Sequence, residues 1–207
     1  MKQKLYPKTS RVKPSKFKLS EKLDGSNIGF FNCDDELIIA QRRNVYTMTE
    51  VLNSPNKDDF YKGLREFLFE HGKELLESLY EGSGFFAEWI GMGKLKYDFK
   101  NRVHMFAKAN IKFLINSEYD VYNIYYEPDL FVYPFKNQEI PKFISIVPSV
   151  ICNAEEISIE YLDRLYKIYS KDVQRDVEGF IVIYNKTSIR KYVRMKSGKL
   201  EDHFWRT

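Results

Sequence analysis

Lys22-Leu23-Asp24-Gly25-Ser26-Asn27 places a lysine two residues ahead of an Asp-Gly pair, with a hydroxyl and an amide after it. An amine held beside a turn in a folded sheet is fixed in place and stripped of water, so it can lose its proton near neutral pH and attack an electrophile. Asp-Gly between apolar residues is also a common hairpin turn. By itself the stretch fits a turn as well as an active site. Four more segments carry charge where a site could use it. Ala40-Gln41-Arg42-Arg43-Asn44 ends an apolar run with two arginines, and Phe85-Phe86-Ala87-Glu88-Trp89-Ile90-Gly91 sets one carboxylate in an aromatic strand. Val177-Glu178-Gly179-Phe180-Ile181 opens a strand with Glu-Gly, and Tyr192-Val193-Arg194-Met195-Lys196 carries cations at alternate positions, which in a strand share a face. Each has a plainer reading: an edge charge for Glu88, a turn for Glu178-Gly179, a wet strand face for Arg194 and Lys196.

The elements that must position these residues are partly legible. Ile28–Phe31 and Leu37–Ala40 read as a hairpin around Asn32–Glu36. Ser54-Pro55 supplies an N-cap and a first-turn proline for a helix through Phe60, Leu64, Phe67, Leu68, His71, Leu75, Leu76 and Leu79, with Gly82 and Gly84 ending it. Phe85–Ile90, Val103–Ile111, Phe180–Tyr184 and Tyr192–Met195 read as strands, and Ile157, Tyr161, Leu162, Leu165 and Ile168 mark a second helix. Residues 1–18 read as an irregular basic arm, and residues 112–150 as further strands. Strands and helices without regular alternation favour an α+β fold.

The chain has 207 residues, 43% hydrophobic and 16% aromatic, which suits one packed domain rather than disorder. No apolar run is long enough to span a membrane and the first residues lack a signal-peptide core, so the expected setting is cytoplasmic, with a viral or phage source compatible. Cys33 and Cys152 form neither a zinc nor a disulfide pattern. The net charge of +4 is uneven. Residues 1–22 carry eight Lys or Arg against one Glu (+7), which leaves the remainder at −3. Such clustering suits a polyphosphate or nucleic-acid ligand, or a solvated tail. Lys94, Lys96, Lys100 and Arg102, interleaved with Tyr97 and Phe99, read either as a strand-gripping surface or as an ordinary basic loop.

In this order the segments resemble the RNA ligase domain family of the covalent nucleotidyltransferases, the superfamily of ATP-dependent ligases and mRNA capping enzymes. The family's Lys-x-Asp-Gly-x-Asn motif is matched by Lys22, Asp24, Gly25 and Asn27, and the glutamate that often precedes it by Glu21. Arg43 is similar to its arginine element, Glu88 to its Gly-Glu-Trp-type motif, and Glu178-Gly179 to its Glu-Gly motif. Its last basic motif is similar to Arg194-Met195-Lys196, with arginine where the family usually has lysine. The family's aromatic strand is matched by Val103–Ala107 without the usual aspartate, which leaves His104 and Phe106 as candidates for stacking on adenine.

The resemblance implies a nucleotidyltransferase (adenylation) domain of ligase type, with antiparallel sheets flanked by helices, ATP-grasp-like, spanning residues 1–207. It implies ATP and Mg²⁺ or Mn²⁺ as cofactors, and RNA with 5′-phosphate and 3′-hydroxyl ends as partner. Lys22 would be the nucleophile, aided by Glu178, Arg194 and Lys196. Glu21, Asn27, Arg43, Glu88, His104, Phe106 and Lys196 would surround the nucleotide, and Glu178 would hold the metal. The OB-fold of DNA ligases and capping enzymes does not fit into Ser197–Thr207. The expectation is therefore a single domain whose missing contacts a protein partner could supply. The alternatives are a DNA ligase-like or GTP-using capping-type enzyme, or a non-catalytic module that binds nucleotide or RNA.

Overall fold

The computed structural model describes residues 17–41, 44–54, 61–91, 93–115, 118–152, 156–184, 186–196 and 199–206, with backbone only from 195 onward. Two sheets face each other, each with helices on its outer side, so the expected α+β class holds in its coarse form. The first sheet orders β12 (Lys199–Arg206), β11 (Ile189–Lys196), β10 (Gly179–Ile183), β1 (Lys18–Lys22) and β9 (Ser149–Val150). The second orders β4 (Val45–Thr47), β3 (Glu36–Gln41), β2 (Ser26–Cys33), β5 (Ser83–Trp89), β6 (Val103–Phe113) and β7 (Tyr119–Tyr125), with β8 (Ile144–Ile146) also on β6. The β6–β8 pair is parallel, unlike the all-antiparallel arrangement expected. A parallel neighbour needs a long crossover, which β7 and residues 126–143 provide.

Apolar alternation explains the layers. Ile28, Phe30, Leu37, Ile39, Phe85, Ala87, Trp89 and Met105 point outward from the second sheet, onto Leu64, Leu68 and Leu75 of α2 (Leu64–Ser78) and Val51 of α1 (Met48–Asn53). Leu19, Phe180, Val182 and Tyr192 leave the first sheet on the other side, onto Leu162 and Tyr166 of α3 (Ile159–Asp172). The opposite face of the second sheet packs Phe31, Ile38, Ala40, Ala109 and Ile111 together.

The helix expected from Ser54 begins later, at Leu64. Ser54 instead ends α1, which opens on a capping box between Thr47 and Glu50, and Pro55–Phe60 lies outside the described residues. α3 keeps Leu162 and Tyr166 buried but leaves Ile168, expected on its core stripe, more than half exposed. Strand β1 occupies the end of what reads in sequence as an irregular arm. Its register sets Lys22 opposite Gly179 and Ser20 opposite Ser149. Among the described residues no helix is long and apolar enough to cross a membrane. Cys33 and Cys152 are both free thiols.

Candidate active site

Leu23-Asp24-Gly25 does not close a hairpin. It carries the chain from β1 in the first sheet to β2 in the second, so Lys22 is the last residue before the crossing. Gly25 is required by closeness rather than by a turn. A Cβ there would sit 2.5 Å from the Trp89 carbonyl oxygen and 2.9 Å from Glu88 Cγ. Asp24 clamps the next layer, because its Oδ2 accepts from the backbone N–H groups of Lys94 (2.6 Å) and Leu95 (2.9 Å). Its own N–H donates to the Tyr97 hydroxyl at 2.8 Å.

The crossing opens a cavity of about 230 Å³ between the sheets, slightly below the usual range of ~300–1,000 Å³ for small-molecule sites. Lys22, Asn27, Glu88 and Lys191 line its polar part, and Phe106, Tyr126, Val147, Ile181, Ile183 and Ile189 its apolar part. Lys22 Nζ is paired with Glu178 Oε1. Glu178 Oε2 is buried with no partner among the described residues. Glu88 Oε1 accepts from the Gly25 N–H at 3.1 Å. Removal from water pushes the Glu88 carboxyl up to about 7, with Glu178 adding to the rise and Lys22 opposing it. Burial pushes Glu178 upward too, again against Lys22. Two carboxylates in one dehydrated space, with their nearest compensation from lysines, make a place where an added cation would be stabilised.

The residues present suit Mg²⁺ or Mn²⁺. Such an ion takes hard oxygen donors and in nucleotide sites is held by one or two carboxylates plus phosphates and waters. The orphaned Glu178 Oε2 is such a donor, with Glu88 nearby.

Other expected site residues lie elsewhere. Arg194 stands on the far side of the first sheet. Alternation along β11 turns Lys191 into the cavity and Tyr192 and Arg194 toward α3. Arg194 Nη1 lies 3.8 Å from Asp163 Oδ1, and its guanidinium stands 5.9 Å over the Tyr166 ring. It is therefore not beside the nucleophile, and Lys191 is the β11 cation that lines the cavity. A bulge between Val193 and Met195 shifts the alternation there, so even spacing does not carry through to Lys196. Lys196 ends β11, its side chain outside what is described, and Arg43 lies outside the described residues.

Glu21 faces away from the cavity as well. Its carboxylate is fully buried, bound by Arg175 through both oxygens at 2.5 and 2.6 Å and by the Tyr169 hydroxyl at 2.8 Å. Its carboxylate is thus committed to Arg175 and Tyr169 rather than to a nucleotide, although Glu21 borders the cavity. Asn27 lines the mouth with an exposed side chain, while its carbonyl accepts from the Tyr61 hydroxyl at 2.6 Å.

Of the two stacking candidates, Phe106 lines the cavity and His104 does not. Phe106 is the extra residue of a β-bulge, since Phe86 pairs with Ala107 and Ala87 with Met105, and a bulge re-aims a side chain in this way. His104 is buried, donates through Nε2 to the Asn101 carbonyl at 3.0 Å, and packs on Phe99. Burial lowers its pKa. Tyr126 and Lys191 escaped the sequence reading, which singled out neither residues 112–150 nor the residue before Tyr192. The period-2 pattern of Lys191, Tyr192 and Val193 contained the signal for Lys191.

Neither a family model nor a curated protein matches this sequence. Among solved structures the fold is similar to an RNA ligase from Naegleria gruberi, a lysine-to-alanine mutant with ATP and Mn. The two share 15% identity at a TM-score of 0.49, over 87% of this chain and 50% of that one. The likeness concerns the fold in coarse outline, and the chain spans half the length of that ligase.

Proposed function

We propose that the chain is an ATP-dependent RNA ligase domain, ATP-grasp-like in arrangement, which forms a covalent adenylate on Lys22. The observation that carries this reading is the Lys22 amine, on the residue where the chain leaves one sheet for the other, which lines a mainly apolar cavity and is paired with Glu178. A lysine kept only for solubility has no reason to be tethered there. The sequence motifs around it agree with the same chemistry.

An attacking amine must be free of its extra proton. A carboxylate whose proton affinity is raised by burial, as that of Glu178 is, is suited to draw that proton while aiming the lone pair. Nζ attacks the α-phosphorus of ATP, a nitrogen–phosphorus bond forms, and pyrophosphate leaves with the electron pair of the broken bond. Phe106 and the aliphatic wall of Ile181, Ile183 and Ile189 take the base, and Glu88 accepts from the ribose hydroxyls. Lys191, with Lys196 and Arg43 as further cations, offsets charge gathering on the phosphates. A Mg²⁺ or Mn²⁺ held by Glu178 supplies charge neutralisation at the phosphate oxygens when bound. A 5′-phosphate oxygen of RNA then attacks the adenylate phosphorus and frees the lysine. A 3′-hydroxyl attacks the activated 5′-phosphate, and AMP leaves as the phosphodiester forms.

Incubation with α-labelled ATP and Mg²⁺, followed by a denaturing gel, tests the first step. Label on the wild type and none on Lys22→Ala is the expected result. No label on the wild type, or equal label on both, removes the covalent mechanism. Label from GTP in place of ATP moves the chain to capping-type chemistry.

A further inference from the structure

Segment Gly93–Arg102 carries four Lys or Arg against one Asp, net +3, directly beside the Lys22 crossing. Its side chains separate by position. Leu95 is buried, and Tyr97 and Phe99 stack on each other at 4.9 Å with rings 12° apart. Arg175 caps the pair at 5.0 and 5.3 Å, and Phe99 rests on His104 at 4.4 Å. Both aromatic rings are therefore committed to the protein and are not free to stack on bases. Arg102 is also engaged, its Nη1 donating to the Lys62 carbonyl at 2.6 Å. Lys94, Lys96 and Lys100 are exposed, and no carboxylate pairs with them among the described residues.

The segment lacks regular secondary structure, yet it is anchored at both levels. Asp24 caps the N–H groups of Lys94 and Leu95, and the Tyr97 hydroxyl accepts from the Asp24 N–H. Gly93 packs so closely on Asp24 that a Cβ would lie 1.9 Å from the Asp24 oxygen. The aspartate two residues after Lys22 therefore fixes the backbone at Lys94 and Leu95 and the ring of Tyr97 between Lys96 and Lys100. An anchored backbone spares the cost of ordering the segment when a polyanion binds, leaving only the lysine side chains to be ordered, and phosphate contact of this kind carries no base information.

We propose that Lys94, Lys96 and Lys100 form a phosphate ledge that holds the sugar–phosphate backbone of the polynucleotide next to Lys22, by charge alone and without base stacking. This rests on the ligase reading for the identity of the polyanion, and it adds where the strand lies and how it is gripped. Contact to phosphates alone does not distinguish RNA from DNA.

The test measures binding of a short 5′-phosphorylated single-stranded RNA, and of the DNA of the same sequence, across a salt series. Three proteins are compared: the wild type, the Lys94→Ala/Lys96→Ala/Lys100→Ala variant, and a control with exposed Lys73, Lys136 and Lys167 changed to Ala. Each lost phosphate contact flattens the log–log salt slope for a single strand by about 0.7. The ledge variant should therefore lose about 2 from the slope, for RNA and DNA alike, while the control keeps it. Labelling by ATP without polynucleotide should stay within about two-fold of wild type in the ledge variant, since none of the three lysines touches the reacting atoms. An unchanged slope overturns the proposal. So does an equal loss in the control, a loss for RNA only, or a wild type that binds neither strand. A wild type that binds with the expected slope change but takes no label keeps the ledge and removes the covalent mechanism. A Lys→Gln triple, which preserves side-chain length, must reproduce the Ala result.

Discussion

Burial of Glu88 and Glu178 costs the folded protein stability once they ionise. Each carboxyl is pushed up chiefly by loss of water, with the Glu178 charge adding to the rise at Glu88 and the Asp24 charge adding to that at Glu178, both against Lys22. For an acid with a folded value of about 7 against an ordinary 4.5, the unfolded chain ionises first. Stability therefore falls as pH rises from about 4.5 to about 7 and stays lower above that. Glu88→Gln should be more stable than wild type at pH 8, with the gain shrinking as pH drops below 5, as urea midpoints at the two pH values would reveal. The same change should cost labelling. Loss of a charge-assisted hydrogen bond is worth about 1.5–3 kcal/mol, roughly 10- to 150-fold in kcat/KM. The wild-type kcat/KM for adenylate formation should rise through pH 7 as Glu88 ionises, and the Gln variant should lack that limb.

At the scale of elements, strand alternation decides which charged residues meet. Lys22, Ile181 and Lys191 share the cavity face of the first sheet, whereas Glu21, Tyr192 and Arg194 face α3. The crossing from β1 to β2 demands a residue with no side chain at position 25. Gly25→Ala should force the crossing off β5, cost about 1–3 kcal/mol by urea denaturation, and abolish labelling even where the protein folds. The Glu21–Arg175 pair pins β1 to the residues after α3. Arg175→Leu leaves a buried carboxylate without its partner and should cost about 3–5 kcal/mol, while Glu21→Leu with Arg175→Leu should recover most of it. A double-mutant cycle on equilibrium unfolding measures both.

The whole molecule is two sheets clasped around a cleft, with the strongest joints at the Lys22 end. Asp24 and Gly25 tie the first sheet's exit to β5 and to the 93–102 segment. At the other end, Tyr126 N–H donates to the Lys186 carbonyl at 2.7 Å and Lys18 pairs with Glu127 and Asp129, each at 2.9 Å. Those ion pairs are partly exposed and contribute at most about 1 kcal/mol, so the hydrophobic layers, not the clasp, carry stability. A ligand that bridges the cleft should stabilise the fold by mass action. ATP with Mg²⁺ at 100 times its Kd adds about 2.7 kcal/mol, visible as a raised Tm that chelation with EDTA reduces.

The sequence alone determined the two things that are local in kind: which residue types are present in order, and the period of the long apolar segments. Lys22, Glu88 and Glu178 could be picked out as charge set in apolar surroundings, and β5, β6 and β10 followed from period 2 to within a few residues, whereas α2 kept its apolar period but starts at Leu64 rather than at Pro55. Only the tertiary structure decided how these charges face one another. The Asp-Gly pair reads as a hairpin in sequence because turn chemistry is local, but its partners in β5 and the 93–102 segment lie more than sixty residues away. Arg194 and Lys191 differ by face, a distinction set by which side of β11 the helix covers. Phe106 is aimed by a bulge that arises from pairing two strands, and Tyr97 and Phe99 are taken up by an arginine far along the chain. Residue chemistry is a property of the chain, whereas a site is a property of distances, and those close only when both sheets pack.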